Sequence, residues 1–193
     1  MMKKLLITGF DAFGGSPLNP SWMAVEALPE QVGQWQVRKL QIPTVFGDAA
    51  ARIFAEAESY QPDVVLSVGL AGGRSAVTPE RIAVNIRDAR IADNAGNQPA
   101  GEFVAKEGPA AYFATGPVEK MAQAIRDGGI AATVSNSAGA FVCNDTLYSL
   151  LHRFDGTATR AGFIHVPYIP ELGEPSMTLE NIVKALELAI DAL

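Results

Sequence analysis

The sequence predicts a single three-layer α/β/α sandwich with a mostly parallel, twisted sheet. Three observations carry that expectation. Short apolar runs of strand length alternate with runs of helical period along the chain. One strand-like run, residues 63–70 (DVVLSVGL), is apolar almost throughout, as a strand covered on both faces must be. Finally, 48% of the 193 residues are apolar, enough for one core at a length that suits one domain. No internal repeat, low-complexity stretch or linker divides the chain, so residues 1–193 read as one unit.

The first strand is expected at residues 5–10, followed by the turn-rich loop DAFGGSPLNPS. Asn19 before Pro20 reads as a helix N-cap with proline at the first helical position, and Trp22, Val25 and Leu28 should face inward. Residues 36–42 form a second strand. Phe46, Ala50, Ile53, Ala57 and Tyr60 recur near a 3.6-residue period and predict the next helix. After residues 63–70 comes the glycine-rich turn AGGRS. Residues 81–91 alternate apolar with polar and suggest a β-excursion, and DNAGNQPAGE a loop. A helix over 117–127 ends at Gly128 and Gly129, a C-cap pattern. A strand over 130–135 leads through NSAGAF into a helix starting near Cys143, with Leu147, Leu150, Leu151 and Phe154 on one face. Residues 161–166 are the last strand and 179–193 the last helix.

Composition excludes several functions. Fifteen Lys and Arg against 21 Asp and Glu give a net charge of −6 without a basic run, which argues against nucleic acid. One cysteine, Cys143, excludes an internal disulfide and a cysteine zinc cluster; two histidines make a histidine metal site unlikely on count alone. Lys3 and Lys4 before apolar residues mimic a signal peptide, but the apolar stretch is too short and Asp11 follows; no run is long enough to cross a bilayer. A reducing cytoplasm is the expected compartment.

In parallel sheets ligands gather beyond the C-terminal strand ends. Three loops stand there: GFDAFGG, GLAGGRS and SNSAGAFVCN. Gly9 and Gly14 have the spacing of a phosphate-binding P-loop, but Gly15 occupies the place of its lysine. Ser137 lacks the first glycine of the serine-hydrolase elbow, since Ser135 stands there. Any one glycine-rich loop can simply turn the chain. The third differs because it carries Cys143 to a helix start, where the helix dipole and free N–H groups are expected to lower a thiol pKa and to hold an oxyanion.

A thiol nucleophile needs a base. His152 lies nine positions further along the same helix, about half a revolution round and ~13 Å away along the axis, so it is read as a surface or capping residue. His165 ends the last strand and can meet the start of the Cys143 helix, either as a core histidine or, given a cysteine at the matching edge, as general base. Among 21 carboxylates Glu80 and Asp88 lie on the correct edge; Asp145, in the first helical turn, reads as dipole compensation.

Four blocks, in order from residue 7 to about 170, resemble the pyroglutamyl peptidase I (pyrrolidone carboxyl peptidase) family. They are ITGFDAFGG with NPS, GLAGGR followed by VTPERIAVNIRDARIADNAGNQP, SNSAGAFVCN, and GFIHVP. The resemblance implies Cys143 as nucleophile, His165 as base and Glu80 as the group orienting it. It further implies Arg90 near the oxyanion and Phe10, Phe13, Phe141 and Val142 around the substrate. The implied substrates are peptides with N-terminal pyroglutamate, cleaved without metal or cofactor by a homotetramer. Ala140 stands where the family usually has threonine, and Leu70 where many members have glutamine. The competing expectation is a non-enzymatic module that binds a small metabolite or nucleotide in the same loops, with Cys143 structural.

Overall fold

A computed structural model describes residues 2–193. Along the chain come β1 (Lys3–Phe10), α1 (Pro20–Ala27), β2 (Gln31–Val32), β3 (Trp35–Ile42), α2 (Asp48–Tyr60) and β4 (Val64–Leu70). Short pieces follow: β5 (Thr78–Pro79), β6 (Ile82–Val84), β7 (Arg87–Asp88), β8 (Ala100–Glu102) and β9 (Ala111–Phe113). Then come α3 (Val118–Asp127), α4 (Val142–Arg153), β10 (Arg160–Val166) and α5 (Leu179–Asp191).

The main sheet runs β2-β3-β1-β4-β10-β5. Strands β3, β1, β4 and β10 are mutually parallel, while β2 and β5 are antiparallel edges. Because side chains alternate across a strand, each parallel strand feeds two cores. Leu5, Ile7, Val64, Leu66, Val68, Ile164 and Val166 pack with α1, α3 and α5 on one face. Leu6, Phe10, Val65, Ala161 and Phe163 pack with α2 and α4 on the other. The same alternation turns Gly69 and His165 toward the α4 layer, which decides where the chemistry can sit. Phe163 anchors that face without solvent exposure, and Phe163→Ala would cost about 3–5 kcal/mol.

Local signals explain the element starts. Asn19 Oδ1 accepts from the Ser21 amide at 3.0 Å ahead of Pro20, so the expected cap is in place, with Val25 and Leu28 buried and Trp22 partly so. Thr178 caps α5 through the Asn181 amide.

Several expectations need correction. The helix with the Phe46 stripe begins at Asp48, because Gly47 at φ +76° breaks helical geometry; Phe46 lies before it. Residues 130–135 are not a continuous strand. They meet residues 77–81 in two bridges, Val77↔Ala132 and Glu80↔Ser135, and Pro79 between them has no N–H to extend a ladder. The loop expected at 93–102 ends in β8, paired with β7, and β2 forms an unexpected hairpin with β3 around Gly33 at φ +53°. The last helix stops at Asp191. Among the described residues no helix is long and apolar enough to cross a membrane.

Candidate active site

Cys143 is the second residue of α4. The helix starts after Phe141, which offers no side-chain cap, so the first amides of α4 stay free to bind a negative charge. The next two residues fasten the helix start. Asn144, fully buried, donates through Nδ2 to the Val84 and Ile86 carbonyls at 2.9 and 3.0 Å and accepts from the Val84 amide at 2.9 Å. Asp145, also fully buried, pairs with Arg87 Nε at 2.6 Å and accepts from the Gly47 amide at 2.8 Å. The β6–β7 excursion is thereby clamped to the helix that carries the thiol.

The Cys143 sulfur lies over Gly69 of β4. A Cβ built on that glycine would come within 2.9 Å of Sγ and 2.7 Å of the Phe163 ring, so the site tolerates no side chain there. Gly69 is the register partner of His165 on β10. The imidazole stands beside Phe163, with ring centroids 4.8 Å apart, and is 4% exposed.

His165 Nδ1 meets Glu80 Oε1 at 2.7 Å. Glu80 follows β5 directly, and its amide donates to the Phe163 carbonyl at 2.9 Å, so the antiparallel edge strand delivers the carboxylate to the histidine. Glu80 is fully buried, and the same Oε1 accepts from Arg74 Nη1 at 2.7 Å. Arg74 also donates to Thr78 Oγ1 and, through Nη2, to the Ser137 carbonyl at 3.1 Å. A cleft of about 570 Å³ opens beside it, lined by Gly73, Ser75, Thr78, Ser135 and Ser137 among others.

Burial and charge set the protonation states. Desolvation pushes the Cys143 thiol up to about 12, helped by the Glu80 charge and opposed by Arg74 and its own backbone N–H. The expected lowering of this pKa at a helix N-terminus is therefore overturned: loss of water outweighs the helix end. Burial lowers the His165 pKa against the pull of Glu80. Burial opposes ionisation of Glu80, yet the hydrogen bond and charge of His165, with further polar support from Ser135 and a hydrogen bond from Arg74, more than offset it and leave its pKa lowered. At neutral pH the resting site thus holds a thiol, a neutral imidazole and a carboxylate.

The remaining candidates divide by place. Phe13 and Phe141 pack with centroids 5.4 Å apart, and Phe46, absent from the expected set, meets Phe141 edge-on at 5.2 Å. Phe10 is buried against Phe163 at 6.2 Å, and Val142 is fully buried in the α4 core. Arg90 is exposed, two residues beyond Asp88, whose amide donates to the Ala140 carbonyl at 2.9 Å. Ala140 and Leu70 are both partly exposed, and Asp88 is exposed. His152 sits in the last turn of α4, bonded through Nδ1 to Tyr112 Oη at 2.8 Å. Arg74 and Phe46 were not anticipated. A lone arginine in a glycine turn reads as surface charge, and Phe46 reads as part of the α2 stripe.

Comparison with known proteins identifies the family. The pyroglutamyl peptidase family model matches residues 3–193. The pyrrolidone-carboxylate peptidase of Bacillus licheniformis is 50% identical, over 98% of this chain and 91% of its own. The crystal structure of pyroglutamyl peptidase I from Bacillus amyloliquefaciens superposes with a TM-score of 0.96 at 45% identity, covering 100% of this chain and 95% of that one. Pyrrolidone carboxyl peptidase from Thermococcus litoralis gives 0.93 at 42% identity, covering 99% and 93%. These matches favour an enzyme over a non-enzymatic binding module, and the chain belongs to the pyroglutamyl peptidase family, a family of peptidases.

Proposed function

We propose that this peptidase removes N-terminal pyroglutamate from peptides through Cys143, His165 and Glu80. The observation that carries the reading is the 2.7 Å contact of His165 Nδ1 with buried Glu80, with the only cysteine of the chain lying over the register partner of that histidine. Glu80 accepts from Nδ1–H and so leaves Nε2 free to act as base. A thiol and a neutral imidazole, rather than a preformed ion pair, fit proton transfer during attack.

His165 takes the thiol proton as sulfur attacks the carbonyl carbon that joins pyroglutamate to the next residue; the lactam ring stays intact. The oxyanion rests on the Cys143 backbone N–H at the uncapped start of α4. Arg90 joins it, because it lies two residues beyond Asp88, whose amide bonds the Ala140 carbonyl in the loop leading into the nucleophile. The carbon–nitrogen bond breaks as His165 returns its proton to the departing amine. Water, deprotonated by His165, then hydrolyses the thioester. No step calls for a metal or cofactor. Phe10, Phe13, Phe141 and Val142, with Phe46 behind them, suit an uncharged five-membered ring. We further place the enzyme in the reducing cytoplasm, as one domain assembled into a homotetramer. The exposed Phe103 and Phe113 are compatible with such contacts, and light scattering giving a strict monomer would remove that part.

The test is fluorophore release from a pyroglutamyl amide, with a prolyl amide as shape control. Selective turnover that disappears in Cys143→Ala is the expected result. Turnover retained in that variant would remove Cys143 as nucleophile, and no turnover by folded, reduced protein would remove the substrate assignment.

A further inference from the structure

The Glu80 carboxylate presents a problem that His165 alone does not solve. It is sealed from solvent, and an ionised carboxylate in such a place needs a compensating charge. A neutral imidazole supplies none. Glu80 Oε2 is buried without a hydrogen-bond partner, and the adjacent Ser135 hydroxyl donates instead to the Ser137 carbonyl at 3.1 Å. The two side-chain hydrogen bonds that reach the carboxylate both fall on Oε1, shared between His165 Nδ1 and Arg74 Nη1, each at 2.7 Å. The other arm of the guanidinium holds the carbonyl of Ser137, six residues before the nucleophile. One side chain thus touches both the orienting carboxylate and the turn that enters α4.

We infer that Arg74 is a positioning residue of this reaction, keeping Glu80 charged and aimed at His165 while tying down the turn that leads to Cys143. The inference rests on the function proposed above. It explains why the glycine-rich turn after β4 carries an arginine: Gly73, at φ +86°, lets the chain double back so that the guanidinium points at the sheet edge. The charged and titratable groups facing His165 are Glu80 from beyond β5, Arg74 from the turn after β4, and Cys143 from α4. A positive charge near an imidazole disfavours its protonated form, so Arg74 holds His165 in its basic state as well as orienting its partner.

Arg74→Met and Arg74→Lys separate charge from shape. For Arg74→Met, kcat/KM falls about 10- to 100-fold at neutral pH, the size common for a partner of an active-site ligand, with the loss mostly in kcat. The acid limb of the kcat/KM profile moves to higher pH. The imidazole resonances of His165 titrate with it. Arg74→Lys keeps the limb in place and recovers most of kcat. A profile for Arg74→Met superimposable on that of the wild type, with only lower amplitude or lower thermal stability, would overturn the inference. If Arg74→Met does not fold, Arg74→Gln, neutral but still a donor, carries the test; failure of both neutral variants to fold while Arg74→Lys folds and keeps its profile would reduce Arg74 to a structural role. Cys143→Ala runs alongside. Turnover surviving there removes the proposed function itself, whereas its loss beside an unmoved Arg74→Met profile removes only the role of Arg74.

Discussion

The two ends of α4 are each joined by a histidine, and they could hardly differ more. At the N-terminal end Asn144 and Asp145, next to Cys143, are held by backbone and side-chain bonds from β6, β7 and the loop before α2, and His165 approaches from the sheet, 4% exposed. At the C-terminal end His152 stands exposed, stacked on Tyr148 and bonded to a phenol. Both imidazoles bond an oxygen through Nδ1 at nearly the same distance, 2.7 and 2.8 Å. What separates them is the partner and the water around it: a buried carboxylate fixes one ring, and a half-buried phenol holds the other at the surface.

The largest effect should come from His165→Ala, with kcat/KM on a pyroglutamyl amide falling about 10⁴- to 10⁶-fold, the range seen when a triad base is lost. A drop below tenfold would put the two histidines on an equal footing and break the contrast. Glu80→Gln keeps the shape of the residue but removes the charge, and about 10²- to 10⁴-fold is expected from steady-state kinetics with the fold intact by circular dichroism. Asp145→Ala tests the clamp rather than the chemistry. It strands Arg87, and chemical denaturation should show a loss of about 3 kcal/mol, near the lower end for breaking a buried pair because Arg87 is partly exposed.

The pH profile sharpens the contrast further. The pKa of His165 is depressed, so the acid limb of kcat/KM falls below the ordinary imidazole value of 6.5. In the window below 6.5 the unfolded chain binds more protons than the folded one, so stability rises with pH there. The lowered Glu80 pKa acts in the same direction below 4.5, its contribution being lost as pH falls through the folded value. A midpoint of denaturation that climbs on acidification below 6.5 would contradict both directions. The smallest effect belongs to His152→Ala: kcat/KM within about twofold, and stability down by roughly 0.5 kcal/mol for one exposed hydrogen bond.

Much of this was legible in the residue order. The apolar run in β4 and the α5 stripe reflect burial, and the Asn19–Pro20 cap a local hydrogen bond, each encoded in the spacing of residues. The placement of Cys143 at a helix start and His165 at a strand end followed from the alternation of elements. Glu80 could not be chosen among the carboxylates on physical grounds, because its position depends on β5 turning back antiparallel for only two residues, too short to leave a pattern. Arg74 stands in the GLAGGR block, yet its role left no signal for a related reason: its partners lie 4, 6 and 63 residues away and meet only in the folded chain. A helix start, read locally, points to a lowered thiol pKa; desolvation, a property of the packed site, turns it upward.

The brevity of β5 has a consequence in time. Its ladder with β10 is two residues long, one of them a proline without N–H, and the Glu80 amide on the Phe163 carbonyl is the next rung. On its other side the segment is held by the Ser135 amide on the Pro79 carbonyl at 2.9 Å and the Arg81 amide on the Ser135 carbonyl at 2.8 Å. A local opening that breaks these few bonds would lift the carboxylate off the imidazole without unfolding the whole molecule. Hydrogen exchange at the Glu80 amide reads such openings, and faster exchange there than at Gly69 in the middle of the sheet is the expected outcome.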